Sequence, residues 1–265
     1  VPTHPGFGGT ARPAALTSIP GLAALYVALI DQLGTDDVTV IGNSIGGFSA
    51  ARLALQAGVP VRIVPVGLTY AEKSRFRSAA RVEFGARTKQ IFDALRDDGK
   101  PAIIFASHLG NWEIPALGAV AHGLDCAILF RRPNIESADR AIERIRSVEM
   151  GTLVPAGRDA PLKLAEALQK GQHVAMLVDQ YMGNGVEVTF FGRKTKANPT
   201  LARLLRQVEC PVHGVRIIRL PNHRFRAELS EEVKPVRDAE GQIDVQGTMQ
   251  AVTSVIEGWV REYPD

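Results

Sequence analysis

A chain of 265 residues can fold as one large domain or two small ones. With 45% apolar and 22% charged residues, its composition is that of a globular protein with a buried core, not of a disordered tail or a fibre. A net charge of +3 gives no global field of either sign, no apolar run approaches the roughly 18 residues a membrane-crossing helix needs, and no signal-peptide pattern opens the chain.

The N-terminal third reads as loop, helix, strand, turn and helix. His4-Pro5-Gly6-Phe7-Gly8-Gly9 is a glycine-rich turn, and Leu22–Leu33 has helical apolar spacing that stops at Gly34. Val38–Ile41 is a short β-branched strand running into Gly42-Asn43-Ser44-Ile45-Gly46, with Phe48–Leu55 continuing as a helix. That is G-x-S-x-G between a strand and a helix, where a sharp turn lifts the serine hydroxyl above a sheet and the next amide faces a developing oxyanion. The segment resembles the α/β-hydrolase family over about residues 1–58. That resemblance would make Ser44 a nucleophile and His4–Gly9 the oxyanion loop. The acid and histidine that such a serine requires do not follow in hydrolase-like context, so a strand-turn-helix scaffold remains the alternative.

Past Gly58-Val59-Pro60 the character changes. Val61–Leu68 reads as a strand, followed by a basic loop with Lys73, Arg75 and Arg77, and by a second strand near Arg81–Gly85. Residues 60–86 resemble a strand pair of glycerolipid acyltransferases, without a catalytic residue of that family.

From Arg87 onward strands and helices alternate. Helix Thr88–Leu95 leads to strand Pro101–Ser107, helix Ile114–His122, strand Asp125–Phe130 and helix Ser137–Val148. Helix Leu162–Gln169, strand His173–Val178, strand Val186–Phe191 and helix Pro199–Gln207 come next. Strands Val212–Leu220 and Arg224–Leu229 precede a terminal helix, Val245–Glu262. The alternation predicts an α/β fold, a three-layer α/β/α sandwich with a mixed, mainly parallel sheet. Residues 1–86 are expected to pack onto the same sheet as a catalytic region at 87–265. Cys126 and Cys210 lie far apart and read as reduced core thiols. From Arg203 to Glu228 six arginines stand against two glutamates. This run suits phosphate or an anionic membrane surface, with a solvated basic face as the plain alternative. No aromatic residues alternate with these arginines as in single-strand platforms, so nucleic acid is not an expected partner.

The residues with chemistry at strand ends are His108 with Glu113, then Arg132, then Asp179. In a mainly parallel sheet they gather along one edge, at the carboxyl ends of the strands. A histidine beside a carboxylate can act as a general base, the carboxylate fixing the tautomer and stabilising the imidazolium. With no cysteine nearby, the hydroxyl it activates would belong to the substrate, which fits acyl transfer to an alcohol. Amides after Gly110 could help bind an oxyanion or a phosphate. A histidine followed, after four intervening residues, by a single glutamate is not H-E-x-x-H, and no clustered ligands complete a metal site, so neither a metal nor a cofactor is expected. On pattern alone His108 can equally be a structural histidine.

Residues 108–113, HLGNWE, are similar to the catalytic signature of the lipid A biosynthesis lauroyl/myristoyl acyltransferases, a branch of the lysophospholipid acyltransferase-like superfamily. The resemblance covers about residues 87–265 and includes FRRPN at Phe130–Asn134, the VDQ ending at Gln180, TFFGR at Thr189–Arg193, ANPTLARLL and the terminal EGWVREYP. It implies that His108 is the general base with Glu113 as its partner. Arg132 and Asp179, with Asn111, would shape the substrate-binding site, while Asn111 and Trp112 support the turn. The implied reaction moves a fatty acyl group from an acyl-carrier-protein thioester to a hydroxyl of a lipid A precursor. It would take place on an anionic membrane surface at the cytoplasmic face of the bacterial inner membrane, with peripheral attachment because Val1–Gly85 stands where the family carries its anchor. The three resemblances together describe a composite chain, with a serine hydrolase using Ser44, or an inactive chimera, as alternative readings.

Overall fold

The protein is described from a computed structural model covering residues 11, 13–14, 16, 18–35, 37–43, 53, 57–58, 60–66, 82–131, 150–222 and 224–264. The chain divides into two compact units, Val1–Arg77 with Pro133–Ala141, and Ser78–Arg132 with Ile142–Asp265.

In the first unit, helix α1 (Ile19–Leu33) starts at Ser18, whose hydroxyl accepts the Gly21 amide, and ends at Gly34 with φ 60°. Strands β1 (Val38–Asn43) and β2 (Val61–Val66) pair in parallel, Val38 opposite Val61. Ala23, Ile30 and Leu53 form a small core with Val38, Val40 and Val61 packed against it. β1 runs two residues beyond the expected Ile41, taking in Gly42 and Asn43 of the serine motif. Ser44 itself, the glycine turn at 4–9 and the basic loop with Lys73, Arg75 and Arg77 lie outside the described residues. Residues 61–68 and 81–85 were expected as a strand pair. Instead, β2 pairs with β1, and β3 (Val82–Phe84) joins the sheet of the second unit.

That sheet has seven strands in the order β3, β11 (Arg224–Leu229), β10 (Val212–Leu220), β4 (Ile103–Ala106), β7 (His173–Leu177), β5 (Cys126–Phe130), β6 (Thr152–Pro155). Only β10 and β11 run antiparallel; the other neighbours are parallel. Side chains alternate across the pleat. Ile103 and Phe105 of β4, with Val174 and Met176 of β7, join one core together with α4 (Ala160–Gln169), α5 (Thr200–Gln207) and α6 (Val245–Glu262). Ile104 and Ala106 of β4, with Ala175 of β7, face a second core with α2 (Ala86–Asp97) and α3 (Ile114–Ala121). The second unit is therefore the expected three-layer α/β/α sandwich.

Crossover direction explains the layering. β4 crosses by α3 to β5 in one direction, whereas β6 returns by α4 to β7 in the other. Right-handed crossovers of opposite direction place their helices on opposite faces. β4 and β7 are neighbours, yet the chain leaves β4 toward β5 and leaves β7 toward β10. Departures in opposite directions open a crevice at their carboxyl ends, where open α/β sheets bind ligands.

The core is close-packed where β10 meets α6. Phe105 and Trp259 stack with centroids 5.7 Å apart, and a Cβ on Gly214 would lie 2.6 Å from Trp259 and 2.7 Å from Phe105. Gly214 leaves the space this ring pair occupies. β8 (Tyr181–Phe190) and β9 (Arg193–Ala197) form an antiparallel hairpin docked on α6, where the Gln250 side chain bonds both the amide and the carbonyl of Thr189. Burial pushes the Cys126 thiol up to about 12 and the Cys210 thiol up to about 11, which leaves both as unreactive thiols.

Candidate active site

The crevice between β4 and β7 holds His108. β4 and β7 pair in register with Ala106 opposite Leu177, and the Val178 amide still donates to the Ala106 carbonyl at 3.1 Å. Two residues further along each strand the register sets His108 beside Asp179. His108 Nδ1 lies 2.9 Å from Asp179 Oδ1 and 3.1 Å from Oδ2, and the His108 backbone amide donates to Oδ2 at 2.8 Å. The ring thus meets a carboxylate supplied 71 residues away. The sequence pointed to Glu113 as the carboxylate of His108; at Nδ1 the carboxylate is Asp179. Glu113 follows the Gly110 turn and sits at the start of α3, whereas parallel pairing brings Asp179 level with the imidazole.

The two side chains remain 37% and 26% exposed, so the pair is open to the crevice. Burial pushes the Asp179 carboxyl up, but hydrogen bonds from the His108 ring and amide outweigh it and hold the carboxyl below its ordinary value. With the Asp179 carboxylate as acceptor, the imidazole proton sits on Nδ1, and Nε2 becomes the nitrogen that can take a proton.

The turn after β4 is built by close approach. Gly110 has φ 57°, and a Cβ there would fall 2.1 Å from the Ile217 carbonyl oxygen of β10. Asn111 is buried; its Oδ1 accepts the Glu113 amide at 3.4 Å and its carbonyl accepts the Ile114 amide at 3.1 Å. Glu113 is 8% exposed and places a carboxylate where the helix dipole favours negative charge. Trp112 meets the His108 ring edge-on at 5.4 Å. Asn111 therefore helps to build the turn. Arg132, expected to shape the substrate site, lies outside the described residues. Among the described residues no group of three or more histidines, cysteines or carboxylates comes together as a metal site.

The depressed Asp179 carboxyl fixes the sign of one pH effect. Its stabilising bonds are fully present above the unfolded aspartate value, about 3.9, and are lost as pH falls through the lower folded value. Asp179→Asn should flatten the fall in unfolding free energy over that acid window, measured by denaturant titration. Equal slopes in both proteins would contradict the pairing.

Among the described residues no helix is long and apolar enough to cross a membrane. A comparison with curated proteins finds no match. The family model described as bacterial lipid A biosynthesis acyltransferase matches residues 51–265. That match takes in the segment 60–86, which sequence reading set apart, as well as the strands that carry His108 and Asp179. Covering well over half of the chain, it shows that the protein belongs to the bacterial lipid A biosynthesis acyltransferase family.

Proposed function

We propose that this acyltransferase moves a fatty acyl group from an acyl-carrier-protein thioester to a hydroxyl of a lipid A precursor. Its reaction centre would be His108, and it would work peripherally on the anionic cytoplasmic face of the bacterial inner membrane. The observation that carries the reading is the His108–Asp179 pair in the β4/β7 crevice, with Nε2 left to face a substrate. Nε2 takes the proton of the acceptor hydroxyl as its oxygen attacks the thioester carbonyl. The tetrahedral intermediate collapses with cleavage of the C–S bond, and the imidazolium returns the proton to the departing thiolate. One ester forms and one thiol leaves. Asp179 holds the ring tautomer and stabilises the transient imidazolium. Asn111 keeps the turn in place, Glu113 is a second carboxylate for the reaction centre, and Arg132 contributes to the acceptor site. The region from residue 87 onward carries the chemistry, and the N-terminal segment serves as scaffold.

The test is to supply acyl-carrier-protein thioester and lipid A precursor to the full chain and follow free thiol and ester together. One thiol per ester is expected, with the same rate in Ser44→Ala. Thiol without ester, or labelling by a fluorophosphonate that vanishes in Ser44→Ala, would instead identify a serine hydrolase.

A further inference from the structure

β10 outruns β4. The two strands pair over Val212–Gly214; β4 then ends at Ala106 while β10 continues to Leu220. The free half of β10 walls one side of the His108 turn, closest where Gly110 meets the Ile217 carbonyl. A shallow groove lies along this wall, lined by Leu109, Trp259 and Tyr263 together with Arg216 and Arg219 of β10.

The two arginines are held in opposite ways. Arg216 is 11% exposed and neutralised by Glu228 at 2.6 Å and Glu262 at 2.8 Å, with the Tyr263 ring 5.2 Å away. Arg219 is exposed and meets no carboxylate among the described residues. Its Nη2 donates to the Gly110 carbonyl at 3.3 Å, and its guanidinium lies 5.7 Å from the ring centroid of Phe225, its cross-strand neighbour. Arg224 and Arg226, further along the same basic run, are both paired with Glu83. Arg219 is thus a cation steered by a carbonyl and a ring face, with no carboxylate partner among the described residues and most of its five donors unused there. The carbonyl that steers it belongs to a residue two positions from His108.

We infer that Arg219 is an anion-binding residue that holds a phosphate group of a substrate in the groove beside the reaction centre. The inference rests on the acyl-transfer reading for which substrates enter. A fatty acyl thioester offers no carboxylate, whereas a phosphorylated sugar acceptor and the phosphopantetheine arm of the donor both carry phosphate. A guanidinium fork matches phosphate oxygens in two-point geometry. Arg219 then acts on binding and register, leaving the proton transfer to His108.

The experiment titrates the full chain with glucosamine 1-phosphate and with 4′-phosphopantetheine, each beside its dephosphorylated form, in wild type, Arg219→Gln and Arg219→Lys. At least one phosphorylated probe should bind more tightly than its dephosphorylated form. Its affinity should fall about 10- to 100-fold in Arg219→Gln, with part restored by lysine, and the probe that responds names the phosphate's source. In the transfer assay KM for that substrate should rise while kcat and the melting temperature hold. The inference is overturned if neither probe binds wild type, or if Arg219→Gln binds both as wild type does. It is also overturned if the only change is weaker sedimentation with phosphatidylglycerol vesicles, which would place the arginine on a membrane. Arg219-dependent probe binding by a wild type that transfers no acyl group would leave the anion site standing and remove the acyl-transfer reading alone.

Discussion

His108→Ala should lower acyl transfer by about 10²–10⁴-fold, the usual contribution of a positioned general base, with little change in folding stability. The two halves of that expectation come from one observation. The imidazole is 37% exposed, outside both apolar cores, and bonded to a carboxylate that is itself partly open. A structural histidine would be buried, and its truncation would cost stability; truncating this one removes little packed surface. Transfer kinetics and denaturant unfolding of the same variant separate the cases. An unchanged transfer rate would sink the mechanism, and a large loss of stability would show that the residue is structural after all.

Gly110→Ala is expected to be among the most damaging single-methyl changes in the protein, costing about 3 kcal/mol or more. The left-handed backbone at φ 57° alone costs an L-residue about 1–2 kcal/mol. The new methyl would also fall 2.1 Å from the Ile217 carbonyl oxygen. That oxygen is fixed backbone, with no flexible side chain to move aside, so either the turn or β10 must shift. Because the turn carries His108 and its carbonyl steers Arg219, activity should fall even at temperatures where the variant remains folded. Equilibrium unfolding checks the first claim; a change below about 1 kcal/mol would show that the turn relaxes freely.

Element positions were largely legible because strong periodicity and clear stops agree. β10, β11 and α6 occupy the stretches expected of them, each bounded by turn residues or a cap such as Asp244, whose carboxylate accepts two amides. Two strands escaped the sequence reading for identifiable reasons. β6 is short and ends in Pro155, a residue tolerated at a sheet edge, where β6 lies. β9 reads RKTKA, a polar stretch that carries no apolar alternation because its hairpin leaves four of its five residues to solvent or near it. β8 starts five residues earlier than expected, since a bulge between Tyr181 and Val186 absorbs the glycines that read as loop.

The site was half legible. The histidine and the Asp179 strand end both stood out as polar residues closing apolar runs, yet their partnership could not be read. β5 and β6 intervene in the chain between β4 and β7, and only the sheet order reveals that these two strands are neighbours. Glu113, only five residues on, drew the assignment because it completes the motif on which the resemblance rests. Ser44 was legible as a motif, and β1 does lead into it, but the family match begins beyond it, at residue 51.

The register of β4 and β7 also sets what lengths of chain this protein can tolerate. His108 and Asp179 meet because each stands two residues beyond the Ala106–Leu177 pair. Inserting or deleting one residue inside either strand would turn every later side chain to the opposite face and carry one partner away from the other. Changes of length between the strands, in the connections through α3 and α4, leave that count untouched. The pair therefore works as a ruler: the fold can absorb changes of chain length in the connections but not within the strands, and grafting this site onto another sheet requires two adjacent parallel strands with matching ends, however far apart they lie in sequence.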